Sequence, residues 1–218
     1  DFAVVVPDEA AYAGVLTTGE PAAGALAVRR RIRDLPVDIL PIFHGGDQTK
    51  WAADGITWDL LGLLEAWEGS QVLDLGDGAS VRIPTLPAMI ALKIVAWGAR
   101  EDRKDAGDLR LLLAAAVEEG EAASWESDDA VLLGSPGFED DIRQVTAYRV
   151  GRELQTQLRE DTLGRCRELL GDDGEQLWLA AESTVSPYGT AQRRDRTVIQ
   201  RGARARLVAF TKGLTYGR

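Results

Sequence analysis

One cysteine, one histidine and one methionine occur in 218 residues. Cys166 on its own cannot form an intrachain disulfide, and no cysteine-rich zinc site can be built from it. Set between Arg165 and Arg167, it reads as an ordinary helix cysteine. A single histidine, His44, excludes histidine-dense metal sites and paired-histidine acid–base chemistry, and it weakens any hydrolase triad. No stretch approaches the roughly 18 consecutive apolar residues of a membrane span, so no membrane partner is expected. The phosphate-loop pattern G-x-x-x-x-G-K-S/T, the Rossmann glycine fingerprint, H-E-x-x-H and G-x-S-x-G are all missing. Internal repeats and low-complexity tracts are missing as well. Any chemistry is left to carboxylates and cations.

Those are plentiful, with 35 acidic and 25 basic residues and a net charge of −10. The hydrophobic fraction of 45% is enough for a core. The length suits one domain with an appendage or two small ones. The charge is uneven. Residues 187–218 hold eight basic groups (Arg193, Arg194, Arg196, Arg201, Arg204, Arg206, Lys212 and Arg218) against Asp195, a net +7 that leaves −17 on the first 186 residues. This basic end reads as the solvated face of an amphipathic helix or as a local contact for phosphate in an otherwise acidic chain.

Along the chain, Phe2–Val6 reads as a buried strand, too short and too poor in flanking basic residues for a signal peptide. A chain opening on a core strand is expected to lack an upstream segment. Asp8 caps a helix running to about Thr18, and Gly19-Glu20-Pro21 breaks it. Leu26–Ile32 suits an edge strand, and Asp34 turns it into a second strand, Pro36–Phe43. Trp51–Trp67 reads as a surface loop and a short helix. Gln71–Leu75 and Ser80–Ile83 form a hairpin around Gly76-Asp77-Gly78. Thr85 caps a helix from Leu86 to about Ala99, and a charged segment leads into a helix over Leu109–Val117. Residues 121–182 look helical, with candidates over Phe138–Arg159, Thr162–Leu170 and Glu175–Ala181. A linker at Ser186–Gly189 precedes a last helix, Ala191–Leu214, with Val198, Leu207, Val208, Phe210 and Leu214 inward. Strands first and helices later predict an α+β head, residues 1–118, and a helical region, 119–218, ending in a basic helix.

Three features carry possible chemistry. Asp38 lies among Val37, Ile39, Leu40 and Ile42, where a buried carboxylate needs a cation, a metal or a donor. Strand alternation equally lets it face solvent. Asp1 stands directly before the first strand, and two strand-borne acids near each other can hold Mg²⁺. Lys93 is the one charge between Thr85 and Arg100 on an apolar helix, and Arg100 shares its face seven residues on. Two such cations make a seat for a triphosphate, although a lone lysine also snorkels from a core helix. Asp105 and Asp108 could simply pair with Lys104 and Arg110. His44 could line a site, but a loop histidine at a strand end is more often incidental; Trp58, Trp67 and Trp97 could stack a base, yet core packing or a partner surface is the commoner use.

The order of these pieces is an acid before a strand, Pro-Val-Asp-Ile-Leu-Pro at 36–41, then Ala-Leu-Lys-Ile-Val-Ala-Trp at 91–97, Arg100 and Lys-Asp-Ala-Gly-Asp-Leu at 104–109. It resembles the AbiEii-type nucleotidyltransferases, toxins of type IV toxin–antitoxin pairs within the DNA polymerase β-like nucleotidyltransferase fold. The likeness covers most of residues 1–117, and the lysine-to-aspartate block is its most specific part. Tyr148–Leu154 and Phe210–Leu214 look like the family's helical half.

The resemblance implies a mixed sheet with helices and a metal-dependent, cytoplasmic, bacterial nucleotidyltransferase. Asp1 and Asp38 would ligate Mg²⁺ in a two-metal arrangement, and Lys93 and Arg100 would bind the nucleotide. Asp105 and Asp108 would complete the catalytic set, one of them orienting the lysine or the acceptor. The substrate would be a nucleoside triphosphate, the acceptor RNA (tRNA among the candidates) or protein, and the partner a cognate antitoxin. The family's glycine turn and the acid two before Asp1 have no counterpart here, so this chain is expected to bind nucleotide poorly. The alternative is a catalytically incomplete module of this fold that binds RNA or protein.

Overall fold

The computed structural model describes residues 2–21, 26, 28–43, 49–53, 55–172, 174–184 and 193–216; at 172 and 193–200 the backbone alone is described. The chain is α+β, as its pattern predicts. It divides into two compact units, Asp1–Leu64 and Glu65–Arg218. The expected boundary at 118/119 falls inside one continuous helix, and the division lies far upstream of it.

The first unit is a mixed four-stranded sheet with one helix. Strands β1 (Phe2–Val6), β2 (Glu20–Pro21), β3 (Arg29–Ile32) and β4 (Leu35–Phe43) are ordered β1-β4-β3-β2, with β1 parallel to β4 and the other pairs antiparallel. Helix α1 (Glu9–Leu16) makes the crossover after β1, and Asp8 caps it by accepting from the Ala11 N–H at 2.8 Å. β1 is less buried than expected: Phe2 is 54% exposed and Val6 is the strand's core residue. Its place at the edge of the sheet is the reason. The Gly19-Glu20-Pro21 break contributes β2, so β3 lies inside the sheet and not at its edge. Lys50–Ala53 (β5) and Ile56–Asp59 (β6) form a hairpin where a loop was expected. Gly55 turns it at a positive φ that suits glycine.

The core of this unit joins Val6, Tyr12, Val28, Ile39, Trp51 and Leu60. Tyr12 meets Trp51 edge to face at 5.1 Å, and its hydroxyl donates to the Ile39 carbonyl at 2.6 Å. Burial pushes the Tyr12 phenol up to about 12, against the lowering effect of nearby Arg30.

Helix α2 (Leu63–Glu68) contains the division between the units. The second unit opens with hairpin β7 (Gln71–Gly76) and β8 (Ala79–Ile83). Helix α3 (Leu86–Arg100) follows, with the Thr85 hydroxyl accepting from the Ala88 N–H. Helix α4 (Arg103–Trp125) is longer than expected at both ends. The Asp102 carboxylate caps it from the Lys104 N–H at 2.9 Å, so the charged segment is helical. A 3-10 turn at Asp128–Leu132 precedes α5 (Ile142–Gln157), α6 (Glu160–Asp172), α7 (Gly174–Ser183) and α8 (Arg193–Thr215).

Helices α5 and α8 make the closest packing. A Cβ on Gly151 would strike the Phe210 carbonyl oxygen, and one on Gly213 would strike that of Tyr148. The two glycines let the backbones meet, and Leu207, Phe210 and Leu214 are buried, as expected of an inner face. Val208 is half-buried.

Candidate functional site

Asp1 and His44 lie outside the described residues, as does the Ser186–Gly189 linker. The remaining candidates fall in both units.

In the first unit, Asp38 sits on β4 directly before Ile39, the partner of Phe2 in β1. Across the sheet it faces Arg29 on β3. The Arg29 guanidinium donates from Nε and from its terminal nitrogen to the two Asp38 oxygens, both at 2.6 Å. That bidentate bond, then the carboxylate's charge, raises the Arg29 pKa. Asp38 is half-buried, between the two orientations its strand allowed, with Ile39 turned into the core. Sequence reasoning overlooked Arg29. The signal was present, because a turn at Arg33-Asp34 pairs Ile32 with Leu35 and therefore Arg29 with Asp38.

As a magnesium ligand Asp38 has suitable chemistry. Its carboxylate oxygens are the hard ligands that magnesium prefers. Magnesium commonly takes one or two carboxylates and completes its coordination with water and substrate phosphate. No three metal-ligating side chains converge among the described residues.

In the second unit, Lys93, Arg100, Asp105 and Asp108 come together. Lys93 and Arg100 lie seven residues apart on one face of α3; Asp105 and Asp108 lie in the first turns of α4, which packs against α3. Glu101, in the left-handed region, and Asp102 make the tight corner between the helices. Lys93 Nζ is 2.7 Å from Asp108 and 3.2 Å from Asp105. Arg100 holds Asp105 with two bonds, at 2.5 and 2.8 Å. The acids thus pair with cations on the preceding helix and not with Lys104 and Arg110.

Asp105 is fully buried, whereas Arg100 is half exposed and Lys93 is 25% exposed. Burial alone would raise the Asp105 carboxyl. The hydrogen bonds and charges of Arg100 and Lys93 outweigh it and hold the carboxyl below its ordinary value. Arg100 is raised, chiefly by the bond it gives Asp105. The arrangement is a buried carboxylate locking two cations, one of which keeps an ammonium partly open to solvent. Lys93 is therefore neither a free snorkelling side chain nor a bare cation.

The remaining candidates are structural. Cys166 is buried on α6. Trp97 is core, Trp58 pairs with Trp51 across the β5–β6 hairpin, and Trp67 lies under the Arg82 guanidinium at 5.0 Å. Among the described residues no helix is long and apolar enough to cross a membrane. No protein-family model matches the chain, and no curated protein or solved structure matches it significantly.

Proposed function

We propose that the chain is a nucleotidyltransferase of the AbiEii type, the toxin of a toxin–antitoxin pair. It would transfer a nucleoside monophosphate from a triphosphate to an RNA or protein acceptor. The observation that carries this reading is the Lys93 locus. A lysine on an apolar helix is held by two carboxylates from the next helix, and all three belong to the block on which the resemblance is most specific.

In this reading an acceptor hydroxyl attacks the α-phosphate and pyrophosphate leaves. Such transfer depends on positioning and charge neutralisation, so no histidine or thiol is needed. Lys93 would offer the triphosphate the part of its ammonium that is not turned to Asp108 and Asp105, which hold Nζ in place. Arg100 would keep Asp105 ionised and would offer the phosphates its exposed edge. Asp38, together with Asp1, would hold magnesium, which when bound neutralises triphosphate charge. The acceptor, the cytoplasmic setting and the antitoxin rest on the resemblance alone.

The second reading, a catalytically incomplete module that binds RNA or protein, draws on one observation. Both oxygens of Asp38 already accept from Arg29. Transfer of label from the four triphosphates to total RNA or protein separates the two readings. It is measured with this chain and with a form carrying the upstream acid that the resemblance expects. Label transfer that Asp38→Asn abolishes, and Lys93→Ala lowers by about 100-fold or more, supports the enzyme. Transfer that survives Asp38→Asn overturns the metal-ligand role. No transfer by either form, to either acceptor, favours the binding module.

A further inference from the structure

Among the described side chains of α8, the exposed ones belong to Arg201, Arg204, Lys212 and Tyr216, and none is acidic. At about 100° and 1.5 Å per residue they fall within an arc of about 120° and along about 22 Å of the helix. Arg206 lies outside that arc and is half-buried. The cations are lightly engaged. Among the described residues Arg201 and Lys212 enter no ion pair, and Arg204 meets Glu175 at 3.9 Å. Lys212 Nζ donates to the Gly137 carbonyl at 3.3 Å and stands 5.3 Å from the centre of the Phe138 ring.

At the end of this face Tyr216 is 61% exposed. Its ring is nevertheless held in place. It meets Tyr148 on α5 edge to face at 5.8 Å, and the Arg152 guanidinium stands over it at 5.2 Å. Arg152 in turn donates to Asp129 at 2.9 Å, which leaves most of its donors open. An exposed ring that is already fixed loses little freedom when a second flat group stacks on it.

We propose that the exposed face of α8 is a binding track for a single-stranded polynucleotide, with Tyr216 stacking a base and Arg201, Arg204, Lys212 and Arg152 meeting phosphates. A single strand brings both groups together, a flat base for the ring and a phosphate at each nucleotide for the cations. A duplex keeps its bases stacked on one another, and an acidic protein segment would use the cations and leave the ring idle. On a chain of net charge −10, a helix face without acids is where a polyanion can approach. The track needs neither Lys93 nor transfer activity.

Fluorescence anisotropy on the full chain tests it, with a labelled 12-mer RNA, the same strand made abasic, its duplex, and the same sequence as single-stranded DNA. Wild type is expected to bind the 12-mer about tenfold more tightly than the abasic strand or the duplex. Tyr216→Leu keeps an apolar contact for Tyr148; it should lose about tenfold on the 12-mer and nothing on the abasic strand. Arg201→Gln and Lys212→Gln should weaken both strands and each lower the salt slope by about 0.7, which keeps the test open if Tyr216→Leu folds poorly. Lys93→Ala should bind like wild type, so this surface and the transferase reading fail separately. The tighter binder of RNA and DNA names the polynucleotide. Unchanged binding by Tyr216→Leu, equal binding of the 12-mer and the abasic strand, or no binding by wild type would overturn the proposal.

Discussion

At the scale of single residues, Asp105 is the one buried charged side chain among the described residues. It is fully buried and meets Arg100 and Lys93 together. Removing its charge takes a shared partner from two cations, but Arg100 is half exposed and Lys93 keeps Asp108, so the cost is about 1–2 kcal/mol. Asp105→Asn should therefore lower the urea midpoint of the chain at pH 7. A variant within about 0.5 kcal/mol of wild type would show that solvent already carries this load. The pH dependence has a definite sign. Because the Asp105 carboxyl lies below its ordinary value in the folded protein, its contribution is complete above the unfolded value of about 3.9 and is lost as pH falls through the lowered one. The gap between wild type and Asp105→Asn should stay constant from pH 7 to 5 and close below pH 4. Urea titrations at pH 7, 5 and 3 read this directly.

At the scale of elements, the contact between α5 and α8 is made by backbone. Gly151→Ala and Gly213→Ala each place a methyl against a carbonyl oxygen that cannot rotate away. Each should cost about 1–3 kcal/mol, read as a lower denaturation midpoint. Gly98→Ala should be milder, since the added methyl meets the flexible Leu169 side chain. Much at this scale was legible from local signals. Asp8 and Thr85 announced their helices through capping chemistry, and the 71–83 hairpin through its glycine-flanked turn. The β5–β6 hairpin was harder, because its strands are four residues each and rich in alanine and tryptophan. Its best signal was the Asp54-Gly55 dipeptide. The start of α4 was obscured because charge reads as loop, although Asp102 has the makings of a cap. The pairing of Lys93 and Arg100 with Asp105 depends on the corner at Glu101-Asp102, which helix periodicity does not describe.

At the scale of the whole molecule, strands precede helices in the sequence, and α+β followed from that order. The unit boundary did not, because a switch from strands to helices does not mark where contacts thin out. The β7–β8 hairpin belongs with the helices, in Glu65–Arg218. Charge is a property of this scale too. With a pI near 4.7, the chain should be least soluble close to that pH. Turbidity between pH 4 and 7 should peak there and fall on either side. A flat profile would mean that the basic end and the acidic remainder do not neutralise each other's surface fields. The acid titration of Asp105 accordingly calls for dilute protein.

The glycine contact gives α8 a fixed fulcrum. Gly213 lies seven residues, close to two full turns, beyond Arg206, so the two share one azimuth on the helix. Inserting a single residue between them would leave the pin in place and swing Arg206 by about 100° around the helix axis. The spacing thus works as a ruler, setting the direction in which a charge points from a place where no side chain stands.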